Sequence, residues 1–407
     1  MPGKRVAALL EDLPEEIVDL ILVRLPPRDV GRCRAVCRSW RGATSMPEFM
    51  LEHHRRQPPL PIIDGFGRPA SLVVVRDAGS VTTNQQLWPF VPGLKHRNEI
   101  CLQGTCEGFI VVSWRDKFYI CNPVIRKHAL LPRPRFGQGI RNAVVGFYRH
   151  HPTGEHRVLW VSESKHLSES SLYVLTVGSD EPRHVRVRMT TVSSASNEQL
   201  LMALKCSKSI QHGGSLHWRH FGDRVRIEDG EDIIVFDTED ESFWWMRSPA
   251  QLYDAEQLFD MKGALAFSGF SGGILPKHPT LDVWTMQDYK AEIWSFKYRI
   301  DLPRVEASRQ LDLISLKRKR RTPLDTMVRW FNEMVVLNER ELLIHFNSKY
   351  ALRCDINGKF LGMVNIGKKQ YCMFFTEHCL QESIIPIIPS HEMQEEDEDP
   401  PFSTRHV

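Results

Sequence analysis

The chain has 407 residues, room for two or three average domains or for one small and one large domain. Its hydrophobic fraction of 42% is ordinary for a globular protein, and no run approaches about 18 uninterrupted apolar residues, so no membrane-spanning helix is expected. A net charge of +3 is too small at this length to argue for or against nucleic acid.

The first ten residues begin basic and turn apolar, but Glu11-Asp12 ends the run too early for a signal-peptide core. A helix should follow, capped by Asp12 or Leu13, with Pro14, Glu15 and Glu16 in its first turn. Proline fits there because that N–H has no helical partner, and acids suit the positive end of the helix dipole. Ile17, Ile21 and Leu25 recur at helical spacing, with Val18 and Leu22 alongside and Leu20 widening the stripe. Pro26-Pro27 should end this helix. A second one, starting near Asp29, carries Val30, Cys33, Val36 and Cys37 on one side and Arg32, Arg34, Arg38 and Arg41 on others. Trp40 closes that run, and 47–51 reads as one more helical turn. So short a segment cannot bury all this apolar surface by itself and must lend some of it to a partner.

Pro58-Pro59-Leu60-Pro61 reads as a stiff connector. Beyond it the apolar period shortens to that of strands. Strands are expected at 71–76, 108–114, 118–121, 143–148, 157–162, 171–177, 184–189, 214–218 and 232–237. Others are expected at 242–246, 264–268, 281–285, 291–298, 333–337, 341–346, 350–355 and 371–375. A unit of glycine turn, apolar strand and second strand recurs at 106–123, 213–237 and 262–286, with a looser copy at 335–356. Such repetition favours propeller blades over a sandwich. A polar stretch at 190–212 and a basic insertion at 303–323 interrupt the pattern.

Candidate chemistry is sparse. Gly269-Phe270-Ser271-Gly272-Gly273 satisfies G-x-S-x-G, but Pro276 and Pro279 forbid the helix a nucleophile elbow needs, so a glycine turn between strands is expected. Cys33 and Cys37 lie on one helical face with no Cys/His set to complete a metal site. The pairs His53-His54 and His150-His151 read as surface or strand residues. Nine cysteines without a Cys-x-x-Cys pair read as reduced thiols, which places the chain in the cytoplasm, the nucleus or both. Lys317-Arg318-Lys319-Arg320-Arg321 reads equally as a nuclear-import signal or phosphate-binding patch and as a solvated loop. It contains no aromatic residue for stacking on bases, which disfavours nucleic acid. Trp88, Trp218, Trp244, Trp245, Trp284 and Trp330 are candidate target anchors, with blade-core packing the stronger reading for each. The acidic tail, 391–407, reads as disordered.

Leu13-Pro14, Leu25-Pro26, Val36-Cys37-Arg38-Ser39-Trp40 and Pro47-Glu48-Phe49, in this order and spacing, resemble the F-box family. Cys106-Glu107-Gly108-Phe109, Asn122-Pro123-Val124-Ile125-Arg126, Leu131-Pro132, Gly214-Ser215-Leu216-His217-Trp218, Phe236-Asp237-Thr238 and Val283-Trp284-Thr285-Met286-Gln287-Asp288-Tyr289 resemble the plant F-box-associated domain, related to kelch-type propellers. The resemblance implies an α+β chain of two domains: a small three-helix F-box at 9–55, then a proline-rich linker at 56–70 and a large all-β propeller-like domain at 71–390. It implies a Skp-type adaptor as partner and, through it, cullin and RING subunits. Leu13, Pro14, Ile17, Ile21, Leu25, Pro26, Val30 and Val36 are then the candidates for the adaptor surface; the sequence does not separate those that face the adaptor from those that face the module's interior. The implied role is that of substrate receptor of a Skp-cullin-F-box ubiquitin ligase for an unidentified protein target. The alternative is an adaptor-bound protein with a non-proteolytic or decoy role. Neither role calls for a catalytic residue, a cofactor or a metal, and neither involves a membrane.

Overall fold

The computed structural model describes residues 14–67, 71–74, 85–86, 100–134, 139–163, 170–190, 197–219, 231–249, 253–261, 263–271, 279–315, 330–346, 350–364 and 370–387. Among the described residues, four short helices come first, α1 (Glu15–Leu22), α2 (Pro27–Val36), α3 (Arg38–Thr44) and α4 (Pro47–Arg56). Proline opens two of them: Pro27 and Pro47 each occupy the first turn of their helix, where no N–H is needed. Four helices stand where three were expected because Cys37 takes an extended conformation, φ −147° and ψ 163°, and splits the second run. Its thiol then caps α3 by accepting the Trp40 amide at 3.4 Å.

Among the described residues, six four-stranded antiparallel sheets follow. The first blade holds β4 (Ile100–Cys106), β5 (Phe109–Trp114), β6 (Lys117–Asn122) and β7 (Lys127–Leu131). The second holds β8 (Arg141–Arg149), β9 (His156–Glu163), β10 (Ser171–Thr176) and β11 (Arg183–Val185). The third is β12 (Ile210–His212), β13 (Ser215–Arg219), β14 (Glu231–Asp237) and β15 (Ser242–Arg247). The fourth is β16 (Ala255–Met261), β17 (Ala264–Ser271), β18 (Thr280–Asp288) and β19 (Ile293–Asp301). The fifth is β20 (Trp330–Val336), β21 (Glu341–Phe346), β22 (Tyr350–Asp355) and β23 (Phe360–Val364).

The closing blade joins the two ends of the domain: β24 (Gln370–Gln381) pairs with β1 (Pro59–Gly67), followed by β2 (Ser71–Val74) and β3 (Gln85–Gln86). Strands β4, β8, β12, β16, β20 and β24 lead the six blades and face one another around the axis. The indole of Trp218 bridges the second and third blades by donating to the Val145 carbonyl at 3.0 Å. The ring of blades is therefore closed, a β-propeller as the repeat predicted, and the four recurring units fall on the middle strands of the first, third, fourth and fifth blades.

Several expectations fail for local reasons. Residues 59–67 form a strand, not a linker. Strand β2 pairs only from Ile62 onward, so Pro59 and Pro61 lie where β1 has a partner on one side and a missing N–H costs little. The polar stretch at 190–212 contains α5 (Asn197–Cys206), whose Leu200, Leu201, Ala203 and Leu204 pack into the core shared by the second and third blades. The basic insertion begins as α6 (Leu302–Ser315), with Leu302 and Val305 in the core of the fourth and fifth blades. Gly269 and Ser271 belong to strand β17 rather than to a turn. A Cβ on Gly269 would lie 2.2 Å from the Tyr253 ring, so glycine is required by that packing. Trp218 and Trp245 are core residues.

Candidate partner-binding surfaces

Helix α1 has two apolar faces. Val18 and Leu22, with Leu25 beyond the end of the helix, turn inward and join Val23, Val30, Cys33, Trp40, Phe49 and Met50 in one core. Ile17, Leu20 and Ile21 turn outward and stay 42%, 47% and 42% exposed. Val36 at the end of α2 and Met46 before α4 are also exposed. Pro14 and Pro26 are exposed, Leu25 is half-buried, and Val30 is fully buried, which takes Val30 off any docking surface. Leu13 and the basic cluster Lys317, Arg318, Lys319, Arg320 and Arg321 lie outside the described residues. Leu20 and Met46 complete the exposed set. The signal for Leu20 was already in the stripe, three residues after Ile17 on the same helical face, whereas Met46 carried none. Arg24, Arg28, Arg38 and Arg41 of the same module are exposed too.

The helical module is not tethered by a flexible arm. Its core is completed from outside by Ile384 and Val124, which follow β24 and β6. Residues 382–387 run between module and propeller as a strap. Asn122, fully buried, donates to the carbonyls of Ser383 at 3.0 Å and Ile385 at 2.8 Å. Ile385 and Ile387 pack on the core of the first two blades. On the module side, Gln381 donates to the carbonyls of His54 and Gln57, both at 3.0 Å. His53 and His54 are buried, contrary to expectation. His53 donates to the Leu25 carbonyl at 2.9 Å and His54 to that of Glu382 at 3.1 Å. Burial lowers the pKa of both rings, partly offset by these bonds, so both are neutral near neutrality. Beside them Glu107 meets Arg149 at 3.4 Å and His156 at 3.3 Å.

The module sits at the end of the propeller where each leading strand turns into the next strand. In the five blades built from consecutive strands, connections at this end take two to six residues. At the opposite end the described strands stand further apart in sequence: β11 ends at Val185 and β12 begins at Ile210, β13 ends at Arg219 and β14 begins at Glu231, and β19 ends at Asp301 and β20 begins at Trp330. Among the described residues there is no group of three or more metal-ligating side chains, and no helix long and apolar enough to cross a membrane.

An exposed apolar helix face on a module locked to a propeller is what an F-box needs. The F-box-like family matches residues 10–55, and the family described as "F-box associated beta propeller domain" matches residues 90–358. This chain is an F-box protein with an F-box associated β-propeller domain. The propeller exceeds the matched segment at both ends, since β1 and β24 close the ring from residues 59–67 and 370–381. Among curated relatives, "F-box protein At3g07870" of Arabidopsis thaliana is 25% identical over 73% of this chain and 75% of its own length. "F-box protein At5g18160" of the same plant is 22% identical over 72% of this chain and 71% of its own. "F-box/LRR-repeat protein At2g43260", also from Arabidopsis, is 24% identical over 83% of this chain and 75% of its own.

Proposed function

We propose that this F-box protein is the substrate receptor of a Skp-cullin-F-box ubiquitin ligase. The observation that carries the reading is the outward face of α1, where Ile17, Leu20 and Ile21 stand in solvent although the module has a core of its own. A Skp-type adaptor covers that face and brings the cullin and RING subunits. The propeller holds a protein target, and the wider spacing of strands in sequence at its far end favours that end as the target face. The chain performs no bond chemistry in this scheme. It raises the effective concentration of a target lysine near the ubiquitin-charged enzyme, and the strapped junction keeps that distance constant. The free cysteines, Cys33, Cys37 and Cys106 among them, support a reducing compartment, cytoplasm or nucleus.

Ile17→Asp and Ile21→Asp each place a charge on the docking face and are expected to cost about 2–4 kcal/mol of adaptor binding. Pull-down of the adaptor by the full chain reads this. Undiminished capture by both variants, with the fold intact, sinks the assignment. Ubiquitin transfer to co-purified proteins in a reconstituted ligase then separates a receptor from the alternative: adaptor capture without transfer to any of them supports the non-proteolytic or decoy role.

A further inference from the structure

The propeller axis holds a cavity of about 810 Å3 whose lining includes none of Ile17, Leu20 and Ile21. All six leading strands contribute to its wall, through residues such as Thr105, Phe147, Gln211, Phe259, Met334 and His378. A second cavity of about 220 Å3 lies against the same wall, and Thr376, Glu377 and His378 line both. Those three residues form a bulge. Pro61 pairs with Cys379 and Ile63 with Phe375, so three residues of β24 oppose Ile62 alone. The Thr376 hydroxyl holds the bulge by donating to the Ile62 carbonyl at 2.7 Å. Bulges of this kind re-aim side chains and recur beside functional sites.

His378 lies in this bulge and lines both cavities. It is 5% exposed, and its Nε2, itself shut off from solvent just behind the wall, has no hydrogen-bond partner among the described residues. A buried polar atom left without a partner costs free energy that a ligand can recover. Burial, and then the charge of Lys208, push the His378 pKa down to about 3, so the ring is neutral and offers one donor or acceptor without charge. The buried residues of the lining other than His378 are apolar, Phe147, Phe259 and Met334 among them, while Thr105, Gln211 and Gln257 add half-buried polar groups. The charged groups Arg55 and Asp260 are exposed at the rim, and Glu377 already has an interaction partner. The volume is that of a small-molecule site.

We infer that the central channel binds an uncharged, largely apolar small molecule carrying a hydroxyl or carbonyl group that hydrogen-bonds to His378. Arg55, Gln57 and Pro58 edge the same cavity where α4 passes into β1, so the ligand touches both the F-box side and the propeller. The site shares none of Ile17, Leu20 and Ile21 with the docking face.

Nile red, an uncharged dye with a carbonyl group, is the probe, titrated into the full chain and followed by fluorescence. Saturable binding at one site per chain is expected, weakened at least tenfold by His378→Leu and by Gln211→Trp, which fills the channel. Far-UV circular dichroism checks each variant, and Thr105→Trp replaces either one that loses its β spectrum. Binding that never saturates, or equal affinity in the parent and the variants, overturns the inference. Tighter binding of an anilinonaphthalene sulfonate than of Nile red overturns the uncharged class. Adaptor pull-down with the same variants is expected to be unchanged, which keeps this test apart from that of the ligase role.

Discussion

At the scale of single residues, the side chains with the largest consequences are polar groups placed where water is scarce. Asp282 is 1% exposed and held by Arg299 through two bonds of 2.6 and 2.7 Å, with the Tyr253 hydroxyl donating to it at 3.1 Å. Removing Arg299 strands a buried carboxylate. Because about half of Arg299 is solvated, Arg299→Ala is expected to cost about 1–3 kcal/mol in urea denaturation, less than a fully buried pair. His217, fully buried between the Ile210 carbonyl and the Tyr289 hydroxyl, has its pKa pushed down to about 3 by burial, as does His378. Unfolded, both take up protons near the ordinary value of 6.5. Their contribution is therefore complete above about pH 6.5 and is lost as pH falls from there towards 3. Stability measured by urea between about pH 6.5 and 5 should fall, and His378→Leu should flatten the slope by about 1 kcal/mol per pH unit. An unchanged slope contradicts this assignment. Neither burial was legible in the sequence, where a histidine in a strand looks the same inside or out.

At the scale of elements, the strap at 382–387 decides how the F-box is held. Short side chains allow its close approach. Gly108, at φ 85°, leaves no room for a Cβ, which would lie 2.2 Å from that of Ser383. Asn122→Ala removes both donors to the strap while leaving a buried residue behind. It should destabilise the junction by about 1–3 kcal/mol and open the chain to proteases near residues 56–58. Ile384→Ala empties a position in the F-box core and should cost about 2–5 kcal/mol. Protease resistance equal to the parent's in both variants would show that the strap bears no load. The sequence marked the helices, because caps, prolines and a helical stripe are local signals. It gave no sign of the strap, whose residues 382–387 have no period of their own and gain meaning only against partners hundreds of positions away.

At the scale of the whole molecule, ring closure through β1 and β24 moves the domain boundary. A propeller fragment starting at residue 71 lacks β1 and leaves β24 without its partner. Residues 58–390 are expected to give a cooperative, β-type circular dichroism spectrum, and residues 71–390 are not. Equal cooperativity of the two fragments would mean that closure adds nothing to the fold. The same closure brings the F-box against β24 and the segment after it, so the exposed face of α1 and the propeller are joined through packed and hydrogen-bonded contacts.

What this sequence determined alone is whatever short-range chemistry encodes: the helical module, its apolar excess, most strands, and a recurring unit that implied blades. It even placed the repeats on equivalent strands, since each blade must alternate and turn by the same rules. Tertiary structure decided the rest. Val30 is core and Ile17 is surface although both are apolar residues in adjacent helices, because burial depends on which neighbour the helix packs against. Pro59 and Pro61 became strand because pairing from the far end of the chain outweighed their local preference. The channel, the bulge at 376–378 and the neutral buried histidines exist only once six blades meet around an axis, a long-range condition that no local pattern of residues expresses.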